Sequence, residues 1–310
     1  MPFRIIRNNI AAVEADAIVN SADPQPIAGG GADGAIYRAA GKEELLAARK
    51  AIGYIEPGQA FETPAFNLKA RYIIHTVGPV WRGGSHSELV TLRQCYENCL
   101  KLAEKLGCTS IAFPLISSGS FGFPKEEALQ TAMSSIGKYL LNHDMEIILV
   151  VYDLESFMLS RHEYDNVRSY IDEHLDYAFN RSRRAREEVF HQQKLPEGDT
   201  FQERLFRLID QRGLTDPEVY KKANLDKKLF SKIRSDKNYH PKKDTVISLG
   251  VALKLNLAQM RDLLARAGYA FSPGDRRDLI IESFFARGNP DIYEIESMLF
   301  SLGEKTLYRY

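Results

Sequence analysis

The residues best suited to chemistry in this chain are four glycines and one aspartate within the six positions from Gly29 to Gly34. Glycine lets backbone N–H groups approach an anion closely. The helix predicted to follow adds its unpaired N–H groups and the positive end of its dipole. The pattern therefore predicts a phosphate-binding loop. Asp33 lies inside this loop, and because a carboxylate repels a phosphate, we expect this acid to have a chemical role.

A second glycine-bearing loop, SSGSFGFP at residues 117–124, follows a predicted strand and precedes a predicted helix. Two strand–loop–helix junctions of this kind can hold a diphosphate from both sides. The alternative is a simple left-handed turn at a strand end. The G-x-G-x-x-G match at Gly29, Gly31 and Gly34 does not indicate a dinucleotide fold, because eight residues separate it from the preceding strand and no second strand follows quickly.

The elements that must position these loops alternate between apolar strands and amphipathic helices over the first half of the chain. Segments such as IAFPLI and IILVV are apolar on both faces, which is typical of a sheet covered by helices on two sides. We therefore predict a three-layer α/β/α fold. The predicted strands are Phe3–Ile6, Ala17–Asn20, Ala60–Phe66, Tyr72–Val77, Ser110–Ile116 and Glu146–Tyr152. The predicted helices are Gly34–Ala40, Ser87–Leu106, Lys125–Asn142 and Val167–Phe179.

The composition changes after this region. Residues 180–200 combine an arginine cluster with a polar stretch and are predicted to be a linker. Residues 201–310 show no strand pattern, and short helices separated by turn residues predict an all-α domain. Within it, Asp216–Ile233 has the pattern of a helix-turn-helix, with Asn224 at a left-handed turn position and Asp226 as an N-cap.

Three sequence motifs, VNSADPQPIAGGGADGAIYRAAG, YIIHTVGPVW and FPLISSGSFGFP, closely resemble the macro domain, over roughly residues 1–176. The resemblance implies a mixed six-stranded sheet with a cleft for ADP-ribose, and we place the domain at residues 1–179. It implies a catalytic role for Asp33, and we add Asp23, which occupies a family asparagine position, as a second catalytic candidate. The residues it implies for ligand binding are Asn9, Ile10, Asn20, Ala28, Gly29, Gly30, Gly31, Gly34, Ser117, Ser118, Gly119, Ser120, Phe121, Gly122 and Phe123.

Two departures from the family pattern bear on the ligand. An Asn8-Asn9-Ile10 turn replaces the usual G-D-I turn that reads the adenine amino group, so an uncharged carbonyl would have to accept that bond. Asp23 replaces the usual asparagine near the distal ribose. Two carboxylates, Asp23 and Asp33, would then face one diphosphate and raise at least one pKa. That arrangement either tunes an acid–base group or favours a ligand other than ADP-ribose.

The helical region over roughly residues 201–270 resembles the five-helix lambda-repressor-like DNA-binding fold, with two helices appended. Tyr220 is larger than the residue normally found at the helix crossing. Basic and polar residues on the second helix of the motif are candidates for DNA contacts, and a solvated surface or a protein-binding face is the alternative. These candidates are Lys227, Lys228, Ser231, Lys232 and Arg234.

Composition narrows the class of protein. Residues 1–180 carry 16 Lys and Arg against 22 Asp and Glu, and residues 181–310 carry 25 against 19, so net charges of −6 and +6 permit different partners. The sequence has no run of 18 apolar residues, so we expect no membrane span. Its first residues have no apolar stretch of signal-peptide length, so we expect no leader. Three cysteines are typical of a reduced, cytoplasmic compartment. We expect no metal, cofactor or membrane partner.

Three functional classes remain open at this point. The first is a hydrolase acting on ester-linked or O-acyl ADP-ribose. The second is a sensor of a NAD-derived nucleotide that signals through the helical domain to DNA or a protein. The third is a non-catalytic reader of ADP-ribosylated protein. Asp33 favours the enzyme, whereas Asp23 and the appended domain favour the sensor.

Overall fold

A computed structural model describes residues 3–152, 166–171, 174, 199–288 and 290–307 of this 310-residue chain. They fall into two compact units, one within Pro2–Met158 and the other within Leu159–Tyr310. The predicted linker at residues 180–200 lies outside the described residues except for its last two positions.

The first unit is built on a mixed sheet of six strands in the order β1-β6-β5-β2-β4-β3. All neighbouring strands are parallel except the edge strand β3, which is antiparallel to β4. The predicted sheet is therefore confirmed. The strands are β1 Phe3–Arg7, β2 Ala17–Ser21, β3 Ala60–Pro64, β4 Tyr72–Thr76, β5 Ser110–Pro114 and β6 Glu146–Val151.

Helices cover both faces of this sheet, because successive side chains of each buried strand point to opposite sides. On one face, Ile18 and Ile73 share a buried cluster with Ile36 and Leu45. On the other, the ring of Phe113 lies 5.3 Å from that of Tyr96. The helices are α1 Gly31–Ala40, α2 Lys42–Ile52, α3 Glu88–Lys105 and α4 Lys125–Leu140, with a 3-10 helix at Ile10–Ala12.

The sequence prediction was wrong about α2, which it left out. Gly41, with φ of 109°, ends α1 and begins this second helix. α2 buries only Leu45 and Arg49, so it carries a weak apolar pattern. Helix α1 also begins at Gly31 rather than Gly34, because glycines without side-chain caps give little indication of a helix start.

The second unit is all-helical over its described residues. Its helices pack around one apolar cluster that includes Leu205, Phe230, Leu249, Leu263 and Ile295. Within residues 166–171, which are helical, Val167 and Ile171 are buried in the same cluster. The helices are α5 Phe201–Gln211, α6 Asp216–Lys222, α7 Lys227–Ser235, α8 Lys243–Ala252, α9 Leu257–Arg266, α10 Arg276–Ala286 and α11 Ile292–Ser301.

The connection between α6 and α7 has the local geometry that the sequence predicts. Asn224 is buried with a left-handed backbone, φ 50°. The side chain of Asp226 caps α7 by accepting a hydrogen bond from the Leu229 N–H at 2.7 Å. These two residues therefore turn the chain and start the second helix.

Candidate functional site

A cleft of about 710 Å³ lies where parallel strands end and loops lead into helices. Strand carboxyl ends meet at one edge of a parallel sheet, which is where open α/β folds place ligands. Many residues named from the sequence line this cleft. They are Asn9, Ile10, Asp23, Gly29, Gly30, Gly31, Asp33, Ser117, Ser118, Gly119, Ser120 and Phe121.

Other predicted residues lie behind the cleft or beside it. Phe123 is 1% exposed, and its ring packs 4.7 Å from that of Trp81, so it does not line the cleft, whereas Phe121 does. A Cβ at Gly34 would lie 2.7 Å from the carbonyl oxygen of Gly29, so glycine is needed there for packing. Ala28 packs against the apolar cluster under α1, and Gly122 turns the second loop with φ of 63°.

The first loop delivers the start of α1 to the cleft. Gly30 is the N-cap of α1 and has no side chain to satisfy the first N–H groups of the helix. Gly31 has φ of 53°, a left-handed conformation that glycine adopts at low cost. Both residues line the cleft. The loop therefore presents helix N–H groups and the positive helix end to an anionic ligand.

The second loop offers a matching set of donors. After β5, Ser117 turns the chain with φ of 63°, and the Phe123 N–H donates back to its carbonyl at 3.0 Å. Within the described parts of the chain, the N–H groups of Gly119, Ser120 and Phe121 donate to no protein acceptor. Unpaired N–H groups on two facing loops are suited to binding a diphosphate.

Ser117 also connects two strand ends. A Cβ built on Gly78, which follows β4, would lie 1.9 Å from its Oγ and 2.8 Å from Cγ2 of Ile116. The Oγ is buried and has no partner among the described residues. The side chain of Ser117 therefore fills space that only a glycine at position 78 leaves open.

Asp33 is the central ionisable group of the cleft and is only 6% exposed. Its carboxylate accepts hydrogen bonds from Asn20 Nδ2 at 2.6 Å and from the Gly29 N–H at 2.5 Å. Burial raises the pKa of Asp33 above its ordinary value of 3.8, and the nearby Asp23 carboxylate adds to this, while the two hydrogen bonds and the charge of Arg49 oppose it. Because no cation among the described residues forms an ion pair with Asp33, it is a stronger base than an exposed aspartate.

A line of buried polar side chains stands behind Asp33. Asn20 Nδ2 also lies 3.2 Å from His75 Nδ1, and Nε2 of the same ring lies 3.0 Å from Thr63 Oγ1. Burial lowers the pKa of His75 to about 3, so the ring is neutral. The hydrogen bonds of this ring therefore connect β4 to β2 and β3.

Arg49 is a residue of the site that sequence reasoning missed. It is 1% exposed, and its guanidinium donates to the carbonyl oxygens of Asp23 at 3.1 Å, Pro24 at 3.2 Å and Gly53. It thereby holds the loop that carries Asp23. The only sequence signal for it was its position four residues after Leu45, which places both side chains on one face of a helix.

Asn8, Asn9 and Tyr152 also line the cleft. Asn9 Oδ1 accepts from the Ala11 N–H at 3.0 Å and caps the 3-10 helix, which leaves one further lone pair on that oxygen. Tyr152 is 78% exposed, and the sequence analysis did not single it out. These residues add polar amides and an aromatic ring to the lining of the cleft.

Among the residues that the structure describes, no group of three or more His, Cys, Asp or Glu side chains could hold a metal ion. None of the described helices is long and apolar enough to cross a bilayer.

On α7, the predicted contact residues separate into two groups. Lys227, Lys228, Ser231 and Lys232 are exposed, and the Lys232 ammonium lies 4.8 Å from the ring centre of Tyr239. Arg234 instead forms an ion pair with Asp216 and lies over the ring of Phe206. Within the described residues, none of these lysines forms an ion pair with a carboxylate.

The chain matches known proteins over its first half. Residues 19–132 match the family model of the macro domain. A Cronobacter sakazakii protein named O-acetyl-ADP-ribose deacetylase is 42% identical over 162 residues, which are 51% of this chain and 90% of that protein. A macro domain-containing protein of Ralstonia nicotianae is 48% identical over 137 residues, covering 44% of this chain and 80% of that one.

Among solved structures, the Oceanobacillus iheyensis macrodomain with ADP has a TM-score of 0.48 and 34% identity, and the match covers 50% of this chain and 85% of that one. The range that matches the family model, residues 19–132, contains both glycine loops. This chain belongs to the macro domain family.

Proposed function

We propose that the α/β unit binds ADP-ribose and hydrolyses O-acetyl-ADP-ribose to ADP-ribose and acetate. The observation that carries this proposal is the buried Asp33 carboxylate at the start of α1, between two loops with unpaired N–H groups. Relatives named O-acetyl-ADP-ribose deacetylase, of which the chain covers 90%, support the same activity.

In this proposal the two glycine loops bind the diphosphate. The N–H groups of Gly30 and Gly31 at the helix end face one side of it, and those of Gly119 and Ser120 face the other. Asn9 and Tyr152 then lie toward the adenosine, and Asp33 toward the distal ribose. We expect a Kd of micromolar order, roughly −8 kcal/mol.

The hydrolytic step needs a base for water. Asp33 takes one proton from a water molecule as the oxygen of that water attacks the acetyl carbonyl carbon. The tetrahedral intermediate collapses by breaking the bond between that carbon and the ribose oxygen, which takes up the proton held by Asp33 and leaves as a hydroxyl, so that the Asp33 carboxylate is restored. Because burial raises the pKa of Asp33, the carboxylate accepts the proton more readily than an exposed aspartate does.

Asp23 is proposed to assist this chemistry as a second carboxylate in the cleft. Its Oδ1 accepts from the Gln25 N–H at 2.9 Å, and its charge helps raise the pKa of Asp33. Asp23→Asn restores the residue that is usual in the family. We expect this variant to retain hydrolysis, because Asp33 remains the base that contacts the water.

A turnover assay on O-acetyl-ADP-ribose, with ester-linked ADP-ribosylated protein as a second substrate, tests the proposal. Asp33→Asn should lower kcat by about a hundredfold or more while ADP-ribose binding persists, since only the base is removed. Equal rates for wild type and Asp33→Asn would remove Asp33 from the mechanism. Tight ADP-ribose binding without turnover of either substrate would instead support the sensor or reader function.

We propose for the helical unit a lambda-repressor-like helix-turn-helix that binds DNA through α7. The supporting observation concerns charge pairing. Arginines of this unit such as Arg204, Arg261 and Arg277 are tied to carboxylates, whereas the lysines on α7 are exposed and unpaired among the described residues. Unpaired lysines on a helix that follows such a turn are suited to neutralising phosphates.

Binding of the full chain to a short random-sequence DNA duplex, measured over a range of salt concentrations, tests this second proposal. Lys228→Glu with Lys232→Glu should abolish binding, and each lost phosphate contact should reduce the salt slope by about 0.9. Lys254→Glu with Lys305→Glu has the same charge change outside α7 and serves as the control. Equal loss in both double variants, or no salt-dependent binding by the wild type, would favour a protein-interaction role.

A further inference from the structure

We infer that His75 and Thr63 are positioning residues for the hydrolytic site, because they fix the orientation of the Asn20 amide and, through it, the Asp33 carboxylate. This inference rests on the proposed deacetylase function for its kinetic consequences. The four residues form one hydrogen-bonded line, Thr63–His75–Asn20–Asp33, that runs from the edge strand β3 across β4 and β2 to the start of α1.

Each contact in this line is short and buried. The distances are 3.0 Å from Thr63 Oγ1 to His75 Nε2, 3.2 Å from His75 Nδ1 to Asn20 Nδ2, and 2.6 Å from Asn20 Nδ2 to Asp33 Oδ1. Asn20 and His75 are fully buried and Thr63 is 4% exposed. No solvent competes for these bonds, so each one restricts the next side chain.

The ionised Asp33 carboxylate fixes the tautomer of His75. A carboxylate only accepts, so the Asn20 atom 2.6 Å from it is the amide nitrogen, and the His75 Nδ1 that faces the same nitrogen must be an acceptor. The proton of the neutral ring therefore lies on Nε2 and is donated to Thr63 Oγ1. Burial, which keeps the ring neutral, leaves this tautomer in place over the pH range in which the enzyme would work.

The tautomer in turn fixes the amide of Asn20. With the amide reversed, a carbonyl oxygen would face the Asp33 carboxylate at 2.6 Å and the Nδ1 lone pair at 3.2 Å. Repulsion from Asp33 disappears once that acid takes a proton during the reaction, but repulsion from Nδ1 remains while the ring keeps its proton on Nε2, where Thr63 accepts it. His75, held in this tautomer by Thr63, therefore maintains the orientation of Asn20.

This orientation leaves one polar atom of Asn20 unused. With both Nδ2 protons engaged, Asn20 Oδ1 is buried and without a partner among the described residues. Asn20 is 0% exposed and is not among the residues that line the cleft. Its effect on the reaction therefore acts through the Asp33 carboxylate that it orients.

Two matched substitutions at position 75 separate positioning from packing. His75→Asn places a carbonyl oxygen near the position of Nδ1 and keeps the acceptor for Asn20, whereas His75→Gln places its oxygen near Nε2 and loses it. We expect kcat on O-acetyl-ADP-ribose to fall about tenfold further in His75→Gln than in His75→Asn, with a similar KM. Equal kcat values in two folded variants would overturn the inference.

Thr63 supplies a second, milder test that preserves side-chain shape. Thr63→Val removes the acceptor for Nε2–H, and Thr63→Ser keeps it. We expect kcat to fall several-fold in Thr63→Val and to stay near wild type in Thr63→Ser. If both position-75 variants fail to fold, this pair decides the outcome, and equal rates in Thr63→Val and Thr63→Ser would contradict a positioning role.

Nitrogen-15 NMR of the histidine ring tests the geometry without any turnover. The wild type should show a neutral His75 protonated on Nε2, unchanged from about pH 5 to about pH 8. Thr63→Val should weaken this preference and Thr63→Ser should keep it. A proton on Nδ1, or a ring that titrates in that range, would refute the line of bonds. If the spectrum is as expected but the protein has no deacetylase activity, the proposed function is refuted and the hydrogen-bonded line is not.

Discussion

The cleft of the α/β unit and the interior of the helical unit treat buried charge in opposite ways. In the cleft, Asp33 and Arg49 are buried and neither forms an ion pair with another described residue. In the helical unit, the buried carboxylates of Asp278 and Glu282 are paired with Lys243 at 2.5 Å and Arg261 at 2.7 Å.

This difference separates charge that serves the fold from charge that serves a ligand. A buried ion without a counter-ion costs free energy, and proteins accept that cost mainly at functional sites. Asp278 also accepts from the Ser272 N–H at 2.7 Å, so its lone pairs are used within the protein. Among the described residues of the helical unit, the α7 lysines Lys227, Lys228 and Lys232 are exposed and form no ion pair with a carboxylate.

Removal of Arg49 has the largest effect that we expect among the tests of this difference between the two units. Arg49→Met leaves three backbone carbonyls without their donor, and we expect a loss of about 3 kcal/mol in the free energy of unfolding, measured by urea denaturation. Arg71→Met is the control, because the Arg71 side chain is 52% exposed and its loss should cost less than about 1 kcal/mol.

Arg49→Lys should recover part of this stability, since an ammonium still donates to the carbonyls but cannot span all three. A stability of Arg49→Met within error of Arg71→Met would mean that the buried guanidinium contributes nothing to the loop that carries Asp23.

Crowding at the first glycine loop gives the next largest effect. In Gly34→Ala the added Cβ would meet the Gly29 carbonyl oxygen at 2.7 Å, and overpacking of this kind costs about 1–3 kcal/mol. Gly30→Ala is the matched control, because nothing lies within 4 Å of its added Cβ. We expect a clear fall in Tm for Gly34→Ala and little change for Gly30→Ala. Similar Tm values would show that the loop accommodates the added methyl group at position 34 without loss of stability.

The pH dependence of hydrolysis tests the buried charge in the cleft with a smaller expected effect. Asp33 acts as a base only when ionised, and its pKa is raised above 3.8, so kcat/KM should fall on acidification at a higher pH than an ordinary aspartate would give. The Asp23 carboxylate contributes to that rise. Asp23→Asn should therefore move the acid limb of the profile to lower pH. An unmoved limb would show that the two carboxylates do not interact.

Glu296 offers the smallest and most local test, because it is the helical unit's own exception. Burial raises its pKa from 4.5 to about 8, and its carboxyl group accepts from the Leu307 N–H at 2.5 Å. Between these pH values the folded state holds a proton that the unfolded state releases, so stability should fall as pH rises.

Hydrogen exchange of the α11 amides from about pH 6 to about pH 9, corrected for intrinsic rates, measures this effect. Protection should decline with pH in the wild type and stay level in Glu296→Gln, whose carbonyl can still accept from Leu307. An identical decline in both proteins would place the titration elsewhere.

Much of the fold could be predicted because its determinants are local. Apolar runs such as IILVV and their spacing predict strands, and all six were found within a few residues. Asn224 and Asp226 were predicted from turn and capping chemistry and have the expected geometry. Helix α2 was missed because it buries two side chains and one of them is an arginine. The domain limits at residues 179, 200 and 310 stay predictions.

The candidate site was less predictable, because its polar partners come from distant parts of the chain. The glycine loops and Asp33 follow strands whose ends meet, so their convergence could be expected. The bonds of Asn20 to His75, 55 positions away, and of Arg49 to Asp23 leave no local pattern. Phe123 and Phe121 both fit an aromatic beside the loop, and only the packing against Trp81 separates them. The roles given to these residues stay predictions.

The contact between Gly78 and Ser117 constrains how the site can change over generations. Any side chain at position 78 would collide with the Ser117 hydroxyl and with Ile116, so a first substitution there carries the whole steric cost at once. Replacing Ser117 by glycine first removes the closer of the two contacts, leaves only the one with Ile116, and suits the left-handed backbone at position 117. The order of substitution at the two positions is therefore constrained: a side chain at position 78 is tolerated only after the side chain at position 117 has changed.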